Sequence, residues 1–257
     1  MAAPERFAEW MSEYQHRDPH TKELTPYRYH PRSDVASKKL ARLVLEDLYA
    51  AIPGLQSRAA RGDAGFGVCL RFAFENSEKE KALDLAIGIP AQAPLALSDG
   101  TMPEVKSLAR LFIGIEAKAT MTKHVGAKPR LWDELSSSHQ IVHAGDQQAI
   151  ACGITVVNIA DRFASPTRNL QPGQKLVLTK HKQPHAVEDL LTFLHRLPIR
   201  SEIGQVGFDA YCNVVVNCDN VGPCTIWTDP PAPQPGDRDE YGAFIARIAS
   251  LFARRFP

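Results

Sequence analysis

The alternation of apolar and polar positions divides the chain into clear segments. "SDVASKKLARLVLEDLYAAIPG" places Leu40, Leu43, Val44, Leu48 and Ala51 on one helical stripe, with Ser33 or Asp34 as its cap and Pro53-Gly54 as its end. "GFGVCLRFAF" (65–74) and "KALDLAIGIP" (81–90) read as strands either side of a polar turn, "ENSEKE". After a looser connection at 91–109, Leu111, Phe112, Ile113 and Ile115 mark a strand at 110–118 that is buried on both faces. "KPRLWDELSSSHQIVHAG" predicts a helix with Pro129 near its start and Gly145 at its end. "AIACGITVVNIA" (149–160) is another buried strand.

Further on, "DRFASPTRNLQPGQK" reads as a loop and "HAVEDLLTFLHRL" as a helix. "FDAYCNVVVNCDNVGPCTIWTD" suggests two strands joined at Asp219–Gly222, "PPAPQPGDRD" a stiff linker, and "EYGAFIARIASLFARRF" a closing amphipathic helix. Residues 1–33 are rich in Pro, His, Tyr and Arg without a clear period and read as an N-terminal arm or irregular cap. The resulting fold class is α/β, a mixed central sheet flanked by helices. A core at 34–160 is followed by an α+β extension at 161–257 that is continuous with it.

Composition narrows this little. At 257 residues, 44% hydrophobic and 23% charged, the chain is long enough for a substantial core and ordinary for a globular protein. No apolar run has the length of a membrane span, and the opening residues lack a signal-peptide core, so the expectation is a cytoplasmic protein with no membrane partner. The five cysteines include no CxxC. Cys69, Cys152 and Cys212 lie in strand-like runs, as reduced packed thiols do, and Cys212, Cys218 and Cys224 are too few for a good zinc site. A formal net charge of +1 leaves nucleic-acid binding to local patches.

Two acidic residues stand where they are expensive. Glu116 ends a strongly apolar strand, with Lys118 on the same side, and Asp84 interrupts "LDLAI". One reading is a strand end that surfaces and carries a weak ion pair. The other requires the strands at 81–89 and 110–118 to pair, so that Asp84 and Glu116 converge. Their repulsion is relieved by a divalent cation, and oxygen-only ligation suits Mg²⁺, for which Mn²⁺ can substitute. Lys118 would then position water or stabilise developing charge, the makings of a phosphodiester-cleaving centre.

Asp84 followed by Glu116-Ala117-Lys118, on two strands within a helix–strand–strand–strand–helix–strand order over 34–160, resembles the D…(D/E)xK signature and core of the PD-(D/E)xK nuclease superfamily, the fold of most type II restriction endonucleases. The resemblance covers about half the chain. Leucine precedes Asp84 where the family pattern has proline, and the interval to Glu116 is long. It implies that Asp84, Glu116 and the Ala117 carbonyl hold Mg²⁺, that Lys118 acts on water, and that an acidic residue of the first helix joins them. Glu46 is the candidate, with Asp47 its rival.

"TKHVGAKPR" supplies Lys123, His124, Lys128 and Arg130 with no acidic residue, and Ser138 or His139 on the next helix could reach a phosphate. His139 and His143, four apart, lack the HExxH context of a zinc helix, and Ser136 to Ser138 lie mid-helix rather than on a strained elbow. The expected activity is a Mg²⁺-dependent endonuclease on double-stranded DNA, a type II restriction enzyme with a methyltransferase companion and a possible homodimer. The alternatives are a nuclease subunit of a multi-protein phage-defence or repair system, or an inactive DNA-binding scaffold.

Overall fold

The fold is that of a computed structural model that describes residues 1–31, 33–73, 80–92, 101–168 and 176–257. Most of the expected turn "ENSEKE" and part of the 91–109 connection lie outside the described residues. The elements are α1 (Ala3–Glu13), α2 (Val35–Ala51), α3 (Pro53–Ala60), β1 (Gly65–Ala73), β2 (Glu80–Pro90), β3 (Leu108–Thr120) and α4 (His124–Gly145), then β4 (Ile150–Asn158), β5 (Arg162–Ala164), β6 (Leu178–Lys180), α5 (His185–Leu194), β7 (Ala210–Asn217), β8 (Thr225–Ile226) and α6 (Tyr241–Arg255). Among the described residues, no helix is long and apolar enough to cross a membrane.

One mixed six-stranded sheet runs β1-β2-β3-β4-β7-β8. The pairs β1/β2 and β2/β3 are antiparallel, β3/β4 and β4/β7 parallel, and β7/β8 antiparallel. Parallel neighbours need crossovers, and α4 and α5 supply them on one face of the sheet, packing through Leu131, Leu135, Leu190 and Leu194. Helices α1, α2 and α6 cover the other face through Phe7, Leu48, Phe244 and Phe252. With both faces covered, every residue of β4 is buried, which is why its sequence does not alternate. At Gly88 a side chain would strike the carbonyl of Arg110 at 1.9 Å, so only glycine allows β2 and β3 to approach there.

Several expectations are corrected. The N-terminal arm contains α1, whose Ala3, Phe7, Ala8 and Met11 are buried against the body. Pro53-Gly54 does end α2, but Pro53 also occupies the first turn of α3, where its missing amide is harmless. α4 begins at His124, leaving Pro129 inside it rather than at its start. The loop after residue 160 includes β5, which pairs with β6. The linker before α6 is packed, with Ala232 and Asp239 buried, and Glu240 caps α6 by accepting from the Gly242 and Ala243 amides. Cys69, Cys152 and Cys212 are free thiols, as expected, while Cys218 and Cys224 are bonded to each other.

The 161–257 part extends the core sheet with β7 and β8 and adds a separate two-stranded sheet of β5 and β6. A buried hub locks it in place. Asp209 accepts from Arg200 Nε at 2.7 Å, Arg255 Nη2 at 2.7 Å and the Ala151 amide at 2.8 Å, and meets His143 Nε2 at 3.0 Å. Burial alone would raise the Asp209 pKa, but hydrogen bonds from His143, Arg200 and Arg255 hold it well below the usual carboxylate range.

Candidate active site

Alternation along β3 sends Glu116, Lys118 and Thr120 to one side of the strand. On the β4 side β3 stays paired to its end, from Glu116↔Gly153 to Thr120↔Val157. On the β2 side the regular register runs only to Leu85↔Ile115. Asp84 comes next, and its Oδ2 accepts the Ala117 amide at 2.8 Å. A side-chain carboxylate thus takes the place of a backbone acceptor where the two strands part. The juxtaposition of Asp84 with the Glu116-Ala117-Lys118 segment follows directly from this register.

Glu116 is only 3% exposed, and a carboxylate so buried is tolerable only when partnered. Its Oε1 lies 2.6 Å from Lys118 Nζ, and its Oε2 accepts from Ser138 Oγ at 3.4 Å. Lys118 Nζ also lies 3.4 Å from Glu134 Oε2. Burial pulls the Lys118 pKa down, but the charges of Glu116 and Glu134 and the hydrogen bond to Glu116 outweigh it, and the net shift is upward. At neutral pH Lys118 is an ammonium held between two carboxylates.

Glu134 was not anticipated from the sequence. It belongs to a line on α4, Arg130, Glu134 and Ser138, spaced by four residues and turned toward β3. That i, i+4 spacing is the signal in the sequence, next to the cationic stretch that precedes it. Arg130 and Glu134 of that line border a cavity of about 310 Å³ whose walls also include Asp84, Ala117 and Lys118, with Ser37 of α2 and Tyr29, but neither Ser138 nor Glu116.

The other expected site residues fall elsewhere. Glu46 pairs with Arg6 of α1. Asp47 also pairs with Arg6, and accepts from the Ala3 amide at 2.7 Å and the Tyr241 hydroxyl at 2.9 Å. The α2 carboxylates therefore fasten α1 and α6 instead of completing the site. Lys128 Nζ is 2.6 Å from Asp189 of α5 and 5.4 Å from the centre of the Phe193 ring, a helix-to-helix contact rather than an outward-facing cation. His124 is buried, which lowers its pKa. His139 is buried edge-on against Phe208, and burial pushes its pKa down to about 4. Neither histidine is placed to meet a phosphate on the surface. Ser138 touches Glu116, not solvent. Arg130 remains on the surface at the cavity mouth, and Lys123 stands at the start of α4.

Among the described residues no group of three or more His, Cys, Asp or Glu side chains gathers as a metal cluster. The oxygen donors around Lys118 are the carboxylates of Asp84, Glu116 and Glu134 and the Ala117 carbonyl, all hard. Compared with family models, curated proteins and solved structures, the chain matches none.

Proposed function

We propose that the protein is a Mg²⁺-dependent endonuclease that hydrolyses phosphodiester bonds of double-stranded DNA on a restriction-endonuclease-like core. The observation that carries this reading is Asp84 accepting the Ala117 amide next to the Glu116–Lys118 pair, with Asp84, Ala117 and Lys118 lining a cavity where two adjacent strands part. The element order from α2 to β4 supports it, with α3 as an added helix. Asp84, Glu116 and the Ala117 carbonyl would hold Mg²⁺ or Mn²⁺, leaving other coordination positions to water and substrate oxygens. Such an ion supplies Lewis-acid polarisation of the phosphoryl group when bound.

The chain's own residues supply the rest. Lys118, kept protonated by Glu116 and Glu134, is a hydrogen-bond donor and a positive charge rather than a base. It orients a water or stabilises charge on the phosphoryl oxygens. Ser138 fixes the orientation of Glu116 from behind. Arg130 attracts the DNA backbone without reading its sequence. Incubation with varied duplexes in Mg²⁺ or in EDTA, followed by mapping of the product ends, tests the reading. Cut ends are expected with Mg²⁺ alone, and intact DNA in both conditions across all duplexes would contradict it.

A further inference from the structure

The stretch "CDNVGPC" links β7 to β8 and places turn-forming Asp219, Asn220, Gly222 and Pro223 between two cysteines. Asp219 Oδ1 accepts the Val221 amide at 2.8 Å and the Gly222 amide at 2.7 Å, and Asn220 takes the left-handed conformation with φ 73°. The turn brings Cys218 and Cys224 together, and both stand in the wall of the cavity that Asp84 and Lys118 border. The chain's other cysteines are thiols, so this bond is a local feature of that wall rather than part of a disulfide framework.

The same turn fastens the N-terminal segment. Asn220 Oδ1 accepts the Arg28 amide at 3.1 Å and the Tyr29 amide, and its Nδ2 donates to the Tyr29 carbonyl at 3.0 Å. The Val221 carbonyl accepts from Arg28 Nε at 2.8 Å. Ser12 Oγ of α1 accepts the Cys224 amide at 2.7 Å. Phe7 and Met11 of α1 line the same cavity, as does Tyr29. Part of the cavity wall therefore hangs from the turn that the Cys218–Cys224 bond closes.

The sulfurs of a disulfide lie about 2 Å apart, whereas atoms that are not bonded need about 3.5 Å or more. Breaking the bond therefore drives two buried side chains apart, Cys218 being 2% and Cys224 6% exposed. Cys218 is fixed, because its amide donates to Asn158 Oδ1 at 3.0 Å and its carbonyl accepts from Asn158 Nδ2 at 2.8 Å. Cys224 precedes β8, a two-residue strand at the sheet edge. It is Cys224 that yields, and α1 with it through Ser12.

We propose that Cys218 and Cys224 form a redox-switched clasp. Bonded, they hold the N-terminal segment against the cavity; as two thiols, they release it and the cavity opens. A small dithiol supplies two electrons and two protons. Its thiolate attacks Cys224 Sγ and expels the Cys218 thiolate, which takes up a proton. Its second sulfur then resolves the mixed disulfide, leaving Cys224 as a thiol and the reductant as a cyclic disulfide. A disulfide oxidant reverses both steps.

The test is backbone amide exchange of the full-length protein, oxidised with glutathione disulfide or reduced with dithiothreitol, its thiols counted by alkylation and mass. Reduction should expose one new pair of thiols and speed exchange at Arg28, Tyr29 and Cys224 by about tenfold or more. Val156, in the buried strand β4, should keep its protection in both states. Cys224→Ser should exchange like the reduced protein in either buffer. Should that variant fail to fold, re-oxidation of the reduced wild type decides, and should restore slow exchange. Equal exchange in the two states, or a bond that dithiothreitol breaks only by unfolding the protein, would overturn the clasp. A second arm rests on the nuclease reading. Cutting of a duplex in Mg²⁺ should be several-fold faster after reduction, and equal rates would overturn the opening of the cavity. Redox-dependent exchange in a protein that cuts no DNA in either state would support the clasp and overturn the nuclease reading.

Discussion

Asp84 Oδ2 accepts the backbone amide of Ala117 at 2.8 Å, which ties one candidate metal ligand to the residue whose carbonyl is another. The bond makes Asp84 part of the sheet's hydrogen bonding as well as of the site. The two roles separate by substitution. Asp84→Asn keeps an oxygen acceptor for the amide, so its stability to urea should stay within about 0.5 kcal/mol of wild type. Asp84→Ala leaves the amide without that acceptor and should lose about 1–2 kcal/mol. Equal losses in the two variants would deny the structural role.

Lys118 makes a prediction about pH. Its folded pKa is raised, because Glu116 and Glu134 outweigh burial. A raised value contributes stability that is fully present below the unfolded lysine value of about 10.4 and is lost as pH climbs through the folded value. The difference in urea stability between wild type and Lys118→Met should therefore hold steady from about pH 6 to 9 and narrow only above about pH 10. A difference that fades between pH 7 and 9 would mean that Lys118 titrates in the working range and could serve as a base.

Lys128 and Arg130 should behave differently on DNA, although two residues apart. Arg130 faces the cleft mouth, whereas Lys128 is committed to Asp189. Arg130→Ala should lower the salt dependence of duplex binding by about one counterion. Lys128→Ala should leave that slope unchanged. Fluorescence anisotropy across a salt series, in Ca²⁺ to prevent cutting, gives both slopes. A loss of slope in Lys128→Ala equal to that in Arg130→Ala would mean that the Asp189 pair opens on binding.

The site was legible in the sequence to the extent that periodicity could carry it. Two carboxylates inside apolar strands, with a lysine two residues beyond one of them, point to Asp84 lying against the Glu116-Ala117-Lys118 segment, and the structure shows that contact at the Ala117 amide. In the cationic stretch charge does not mean exposure, because Lys128 is taken up by Asp189 and His124 is buried. The helix starts at His124, four residues before the expected segment, and this winds Lys128 toward α5 and His124 inward. α1 was missed because Pro, His, Tyr and Arg dominate the first 33 residues and dilute its short stripe. The Asp209 hub has no period at all, since Arg200 and Asp209 meet through an irregular stretch.

That hub should be a main anchor of the C-terminal half. Removing the charge of Asp209 leaves Arg200 and Arg255 buried without a counterion, so Asp209→Asn should cost about 3–5 kcal/mol at neutral pH. Because the folded pKa is depressed, the contribution is present above the unfolded carboxylate value of about 3.9 and disappears as pH falls through the folded value. Urea unfolding of the variant at pH 7 measures the cost, and that of wild type from pH 7 down to about pH 2 follows the onset of the loss below about pH 4. A cost below about 1 kcal/mol would remove the hub from the stability of the fold.

The central claim is that Asp84 and Glu116 act together as the metal-holding pair of a nuclease. Its most direct measurement is the rate of DNA cleavage in Mg²⁺ by wild type, Asp84→Asn and Glu116→Gln side by side, each checked for native folding. The account predicts cutting by wild type that EDTA abolishes, and a loss of at least about a hundredfold in each variant. Near wild-type cutting by either folded variant would contradict it.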